Sequence, residues 1–354
     1  MIDFREDVPL APYTTIGLGG RAKYFVECRS VDEVCATIRV AAEQGSPLHV
    51  LGGGSNTIFR DEGFDGVVLK TAMKGLHVQR DGREVTVSIA AGEEWDAFVR
   101  FCVSNGLAGV ECLSGIPGLV GAAPMQNIGA YGQEVAETIV DVIALDRKKL
   151  EEMRFSNEEC RFDYRRSRFN MEDANAFVIT EVTFRLRPDG EAAVRYPELQ
   201  RYLQAHAGIA SLKPGSEQLS AVREAVLALR RKKSMVIDPA DPHSRSVGSF
   251  FKNPLLSHSD LEALRARCRS LGIASPPTFP SEEHIKVPAA WLLEQAGFVK
   301  GYRKGGVGVS AHHALALVNY GGNTRELLVL AQEIQSTVFE KFGIHLEREP
   351  VIVS

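Results

Sequence analysis

The segment Cys160 to Phe169, CRFDYRRSRF, packs five Asp or Arg residues into ten positions of a chain whose net charge is −4. Guanidinium forks grip carboxylate and phosphate through paired N–H groups. The segment is therefore a candidate anion site, with a solvated basic face as the alternative. Phe162, Tyr164 and Phe169 alternate with the charges, which predicts a half-buried segment. A second candidate is the turn Gly52-Gly53-Gly54-Ser55-Asn56. It lacks the Gly-Lys-Ser/Thr of a Walker loop. Successive N–H groups in a glycine turn form a concave anion site that fits a diphosphate, with Ser55 and Asn56 adding hydrogen bonds. A plain tight turn is the other reading, and both stay open.

The stretch Ser114 to Gly132, SGIPGLVGAAPMQNIGAYG, has nineteen residues with no charge, five glycines and two prolines. Glycine exposes bare backbone and tolerates positive φ, so this stretch predicts main chain wrapped around a ligand. A floppy loop would be more polar, and Ile116, Leu119, Val120, Met125, Ile128 and Tyr131 call for burial. In Gly248-Ser249-Phe250-Phe251-Lys252-Asn253-Pro254 the aromatics would shield a serine hydroxyl from water, although an N-cap or turn serine is equally compatible. It has no G-x-S-x-G elbow. Two further motifs are decoys. Gly17 to Ala22 fits G-x-G-x-x-A but precedes a strand (Lys23 to Glu27) rather than a helix, and Gly306 to Ala311 also lacks the strand-and-crossover context. His312 and His313 are adjacent, point apart and are read as structural.

These segments need a framework. The 354 residues, 44% hydrophobic, suffice for two or three domains. The acidic balance predicts no pull toward nucleic acid or anionic membrane. No stretch reads as a signal peptide or membrane span, so a cytoplasmic protein without membrane insertion is expected. The six cysteines are scattered without a C-x-x-C pair, which predicts reduced, buried thiols and no metal site. Capping boxes are read at Ser30-Val31-Asp32-Glu33 and Ser259-Asp260-Leu261-Glu262. Strands are expected at 48–51, 66–70, 85–90, 138–145, 177–186 and 350–353. In the fifth, Val178, Val182, Phe184 and Leu186 would share one face. Helices are expected around Trp95, Phe98, Val99 and Cys102, at 218–233 ending in Arg230-Arg231-Lys232-Lys233, after Pro288, and at 325–342 stopping at Gly343. The mixture without regular β-α alternation predicts an α+β fold.

Taken together, TTIGLGG, LGGGSN, IPGLVGAAPMQNIGAYG, YRRS, RRKK, GSFFKNP, AAWLLEQAG and the final LERE, in this order and spacing, resemble the UDP-N-acetylenolpyruvoylglucosamine reductase family nearly end to end. The segment between Phe184 and Ser249 resembles the subclass with an extra substrate-capping loop. The resemblance implies a two-lobed FAD-binding domain of the vanillyl-alcohol-oxidase (PCMH) type plus a C-terminal α+β substrate-binding domain. The implied limits are residues 1–70 (completed by about 344–354), 71–236 and 237–343. It implies noncovalent FAD held by Thr15, Gly17, Gly52, Gly53, Gly54, Ser55, Asn56, Ser114, Gly115, Ile116, Pro117, Gly118, Gly121, Asn127, Gly129, Ala130, Tyr131 and Gly132.

By the same resemblance, NADPH reduces FAD, and flavin N5 passes a hydride to the vinylic carbon of UDP-N-acetylglucosamine enolpyruvate. Arg165 and Glu349 would stabilise the enolate-like charge, and Ser249 would protonate it. Arg230 and Lys233 would meet the diphosphate, with Tyr164, Tyr196, Asn253 and Glu294 also at the substrate. A solvated helix end is the alternative for Arg230 and Lys233. A monomer or weak dimer is expected. Where the family carries an aliphatic residue, Pro350 follows Glu349 here and removes a backbone donor. Two rival readings are a flavin oxidase with covalently anchored flavin, and a non-enzymatic nucleotide-binding protein on the same scaffold.

Overall fold

The computed structural model describes residues 2–82, 84–206, 212–281 and 284–354. They form two compact units: residues 1–8, 22–53 and 65–236 in unit 1, and 9–21, 54–64 and 237–354 in unit 2.

Unit 1 holds two sheets. A four-stranded sheet runs in the order Arg5–Pro9, Arg21–Cys28, Phe64–Thr71, Leu48–Leu51, and its last pair is parallel. The second sheet is six-stranded and antiparallel, in the order Glu152–Ser156, Ile139–Asp146, Phe177–Pro188, Glu84–Ala90, Leu76–Asp81, with Leu107–Ala108 added against Phe177–Pro188. Phe177–Pro188 lies in the middle of this sheet. The four residues expected on one face are buried, and so are Ile179, Thr180 and Thr183. A central strand covered on both faces has no polar side to alternate with.

Helices α1 (Val31–Glu43), α2 (Trp95–Ser104), α3 (Pro197–His206) and α4 (Ser216–Lys232) complete unit 1. Ser30 Oγ caps α1 by accepting from Glu33 N–H at 3.2 Å. The Glu33 carboxylate accepts from Arg29 N–H instead of Ser30 N–H, so only half of the expected box forms. The core joins Val26, Val34 and Leu69 with Val87, Trp95, Val182 and Phe184 in one hydrophobic cluster. Within it Trp95 meets Phe98 and Phe184 at 5.6 and 5.9 Å between ring centroids. The Trp95 indole N–H donates to Leu113 O at 3.1 Å, so the core anchor also holds the entry to the glycine-rich stretch.

Unit 2 contains a four-stranded sheet (Ser246–Ser249, Ala316–Asn319, Val307–Val309, Arg303–Lys304), a three-stranded sheet (Leu255–Leu256, His284–Lys286, Phe279–Ser281), and a parallel pair of Thr57–Phe59 with Val351–Val353. Helices α5 (His258–Ser270), α6 (Ala289–Ala296) and α7 (Thr324–Phe342) pack on them. The second capping box is corrected. The cap of α5 is Ser257, whose Oγ accepts from Asp260 N–H at 3.1 Å, and Glu262 pairs with Arg265 within the helix. Ser257 opens the helix because two more residues fit its first turn. Helix α7 starts at Asn323 and ends at Gly343 with φ 72°. Asp61 accepts from Thr324 and Arg325 N–H, each at 2.8 Å, which ties this helix to the loop after Thr57–Phe59.

His49, on strand Leu48–Leu51, is pushed down to about 4 from 6.5 by burial and, secondarily, by the Arg147 charge. The folded protein holds the neutral ring, so between pH 6.5 and about 4 the unfolded chain binds the extra proton. This contribution is therefore fully present above pH 6.5 and is lost as pH falls through that window. Its upper limit is about 3 kcal/mol at about 1.36 kcal/mol per unit. Urea midpoints measured from pH 7 to 4 should fall less steeply in His49→Gln than in the parent; parallel slopes would refute the assignment.

Candidate active site

The arginine-rich segment of unit 1 folds as a tight turn. Asp163 and Arg166 exchange backbone N–H···O bonds at 3.0 and 3.1 Å, which places Tyr164 and Arg165 at the tip. Arg165 has φ +57°, a left-handed conformation costly for an arginine. Its guanidinium donates to Gly129 O at 2.9 Å and Asn127 O at 3.3 Å, with Tyr164's ring 5.4 Å from the guanidinium carbon. Asn127 Nδ2 reciprocates by donating to Asp163 O (3.1 Å) and Glu134 Oε2 (2.7 Å), while its Oδ1 accepts from Ala136 N–H. Ser167 Oγ donates to Met125 O at 2.8 Å. The Tyr-Arg turn and the glycine-rich stretch are thus one hydrogen-bonded body. These two carbonyl bonds fix the orientation of the guanidinium.

The glycine-rich stretch contains only short regular pieces. A 3₁₀ turn at Glu111–Leu113 leads in, a second covers Val120–Ala122, and Gly129–Ala130 pairs with Gln133–Glu134 around the tip Tyr131-Gly132. Both tip residues have positive φ, 50° and 79°, the requirement of a two-residue I′ hairpin turn. Asn or Gly normally sits at the first of these positions, so Tyr131 carries backbone strain. Such strain persists where the surroundings over-determine it, and Tyr131 is held between Tyr196 and Lys233. It packs edge-on to Tyr196 at 5.7 Å, lies 5.5 Å from Lys233 Nζ, and is pushed up to about 12, mainly by burial.

Tyr131, Tyr196, Arg230 and Lys233 therefore come together in unit 1. Arg230, in the last turn of α4, donates to Met235 O at 2.8 Å, and its Nε is buried with no partner. Burial lowers its titration, while Tyr131 and Asp96 raise it. Lys233 pairs with Glu198 at 2.5 Å. A buried guanidinium donor without an acceptor is costly, and this one has a lysine beside it. The pair can receive a diphosphate.

The glycines serve two purposes. At Gly53 an added Cβ would lie 2.6 Å from Gly118 Cα, and at Gly121 it would lie 2.5 Å from Ala91 Cβ. These glycines allow segments to touch. Gly52, whose nearest neighbour would be Ala122 Cβ at 3.6 Å, is not restricted in this way. In the Gly52–Asn56 turn, Gly54 has φ +64°. Among the described residues, the N–H groups of Gly53, Gly54 and Ser55 have no partner. Successive N–H groups in a glycine turn form a cradle able to take an anion. Ser114 Oγ donates to Glu111 O at 2.6 Å, and Gly115 N–H donates to Asp96 at 2.6 Å, so both groups are spent within the protein. Ile116 N–H donates to Leu113 O at 3.4 Å, Gly118 O accepts from Trp95 N–H at 3.0 Å, and Ala130 pairs with Gln133, while Pro117 has no N–H to give.

In unit 2, Glu349 N–H donates to Phe250 O at 2.9 Å and Lys252 N–H to Glu347 O at 2.9 Å, which sets the Glu349 segment beside Ser249. Asn56 Nδ2 donates to Glu349 O at 3.3 Å. Thr15 N–H donates to Gly54 O, and Thr15 Oγ1 to Ser246 O at 2.6 Å. Gly17, with φ 66°, turns beside Asn319, whose amide holds Ile16 and Gly17 carbonyls. Pro350 costs no pairing, because the flanking Glu349 and Val351 N–H groups carry the bonds to Phe250 and Asn56. Asn253 Oδ1 accepts from Ala289 N–H at 2.9 Å and so caps α6. Glu294 lies near the end of α6.

Sequence reasoning missed Asp96, Arg223, Glu111, Gln133 and Glu198. Arg223 on α4 clamps Asp96 on α2 with two bonds of 2.7 Å, and Asp96 in turn holds Gly115 N–H. Burial pushes the Asp96 carboxyl up, but the Arg223 hydrogen bonds, Gly115 N–H and arginine charges outweigh it and leave it below its usual range. Glu111 was detectable as a lone carboxylate within the apolar run LAGVECL.

Residues 22–145 match the FAD binding domain family, and 239–353 match the C-terminal domain of UDP-N-acetylenolpyruvoylglucosamine reductase. The α+β fold, with a flavin-binding domain followed by a C-terminal α+β domain, makes the protein an FAD-dependent oxidoreductase. The chain is 47% identical to UDP-N-acetylenolpyruvoylglucosamine reductase of Thermobifida fusca, covering 99% of this chain and 98% of that one. The enzyme of the same name from Streptomyces coelicolor is 46% identical over 98% of this chain and 90% of its own. The crystal structure of UDP-N-acetylenolpyruvylglucosamine reductase from Thermus caldophilus shares the fold with a TM-score of 0.67 at 23% identity, covering 100% of both chains. The chain belongs to the UDP-N-acetylenolpyruvoylglucosamine reductase family.

Arg223→Met should lower stability by about 2 kcal/mol, less than the about 3–5 of a fully buried pair because Asp96 is partly exposed. It should also weaken FAD binding by releasing Gly115. Denaturant titration and flavin retention on gel filtration measure both; full retention of stability would refute the clamp.

Proposed function

We propose that this protein reduces UDP-N-acetylglucosamine enolpyruvate to UDP-N-acetylmuramate with NADPH, through noncovalently held FAD, in peptidoglycan synthesis. The observation that carries the reading is Arg230, with its buried Nε unpartnered, beside Lys233, Tyr131 and Tyr196. Two cations under two tyrosines suit the diphosphate of a nucleotide sugar. The relatives' names point to the same substrate.

The cradle at Gly52–Asn56 and the backbone of 114–118, 121 and 127–132 are the groups we assign to FAD. FAD held there would supply two-electron chemistry between NADPH and the vinylic carbon. Negative charge then builds on the adjacent carbon and its carboxylate. Arg165, fixed by two carbonyls, is assigned to hold that charge, as a preorganised donor lowers the barrier where charge develops. Glu349 assists in the same charge state, protonated or through a water. Ser249 gives its Oγ proton to the carbon. Its hydroxyl has no partner among the described residues, which suits a group that must give up its proton. Tyr164, Asn253 and Glu294 are assigned to the substrate.

Within this reading, residues 1–70 with 344–354, and 71–236 with a substrate-capping loop, are the flavin lobes, and 237–343 is the substrate domain. The protein works in the cytoplasm as a monomer or weak dimer. No helix among the described residues is long and apolar enough to cross a membrane.

NADPH oxidation should require UDP-N-acetylglucosamine enolpyruvate. Ser249→Ala should keep flavin reduction by NADPH while slowing product formation by about 10²–10⁴-fold, the usual size of a positioned proton donor's effect. Equal losses in both half-reactions would rule out the assigned role. In a UDP titration, Lys233→Ala should bind more weakly than the parent; unchanged affinity removes Lys233 from the diphosphate site.

A further inference from the structure

Glu111 is fully buried, yet among the described residues no arginine or lysine pairs with its carboxylate. It is satisfied instead by three neutral donors. Oε2 accepts from Gly109 N–H at 2.7 Å, and Oε1 accepts from Ala193 N–H at 2.7 Å and from Gln133 Nε2 at 3.4 Å. Gln133 is also buried, and its Oε1 accepts from Cys112 N–H at 2.9 Å. The next residue repeats the attachment, since Cys112 Sγ donates to Ala193 O at 3.3 Å. Both backbone polar groups of Ala193 are therefore held by the consecutive residues Glu111 and Cys112.

Ala193 lies three positions before Tyr196 in a segment, 191–196, with no helix or strand of its own. Gln133 lies two positions after Tyr131. The carboxylate thus ties the approach to the Tyr196 side of the tyrosine pair to the hairpin that presents Tyr131. A secondary tie, Arg195 to Glu137 at 2.9 Å, is exposed and contributes little. We propose that Glu111 is a positioning residue for the nucleotide-sugar site. It fixes the register of residues 191–196 against the Tyr131 hairpin, so that Tyr196 stands beside Tyr131 above Lys233. The proposal rests on the functional reading given above.

Both carboxylate oxygens receive backbone N–H groups, so neither can be exchanged for an NH2 without facing a donor. Glu111→Gln preserves the shape and must lose one of the two backbone bonds. Leaving a buried donor unsatisfied is costly enough to raise KM for the UDP-sugar by about tenfold. Flavin reduction by NADPH should fall less than product formation. Amide exchange across 191–196, followed by mass spectrometry on the FAD-loaded protein, should quicken.

An unaltered KM, or equal losses in flavin reduction and product formation, would overturn the proposal. If Glu111→Gln fails to fold with flavin, Ala193→Pro removes the strap's donor, while also fixing φ there, and should raise KM in the same way; an unaltered KM there is equally decisive against it. A parent protein that binds no UDP would overturn the functional reading, and the positioning role with it. Exchange at 191–196 would still report separately whether Glu111 holds the strap.

Discussion

Bare backbone binds anions only if it is held still, and glycine-rich chain is the least inclined to be still. The fold meets this constraint with side chains that hydrogen-bond the glycine-rich stretch to its surroundings. Asp96 takes Gly115, Trp95 takes Leu113, Ser167 takes Met125, and Asn127 spends its own amide on Glu134 and Asp163. Each bond adds modestly to stability, on the order of 1 kcal/mol. Their larger effect is conformational: a segment with five glycines is reduced to one path. The strained φ of Asn127, Tyr131 and Arg165 follows from this, because three residues that would otherwise relax are locked from several sides.

Much of the site was legible from residue types alone. The absence of charge and the apolar residues in Ser114 to Gly132 announced a partly buried, irregular segment, and GGGSN announced a turn. The reason assigned to each glycine was only partly right. Gly53 and Gly121 are glycines because other backbone crosses there, which no local reading distinguishes from ligand contact. The charge run CRFDYRRSRF separated into different jobs. Asp163 closes a turn, Arg165 points inward, and Arg168 pairs with Asp173 at 2.6 Å. Only the turn geometry, set by two backbone bonds, decides which arginine reaches the carbonyls of Asn127 and Gly129.

The helices were legible where an amphipathic stripe met a stop signal, as in α7 and Gly343. The start of α5 was misplaced because Ser257 and Ser259 both suit a cap, and local sequence does not rank them. Helix α3 gave a weak signal, with Leu199 and Leu203 as its only buried residues. The clamp of Asp96 by Arg223 was invisible because the partners are separated by 127 positions. Such pairings belong to tertiary structure, and a lone aspartate in the first turn of a helix reads as an ordinary dipole partner.

The chain enters unit 2 three times, at residues 9–21, 54–64 and 237–354, whereas every piece of unit 1 has been made by residue 236. On the ribosome, unit 1 can begin to close while the strand Thr57–Phe59 still waits for Val351–Val353. Pairings this distant in sequence form slowly, and an unpaired strand edge invites association with other chains. For the last third of its synthesis, this protein therefore carries one finished body and one open seam. The nascent chain, more than the mature enzyme, is where a chaperone would find work.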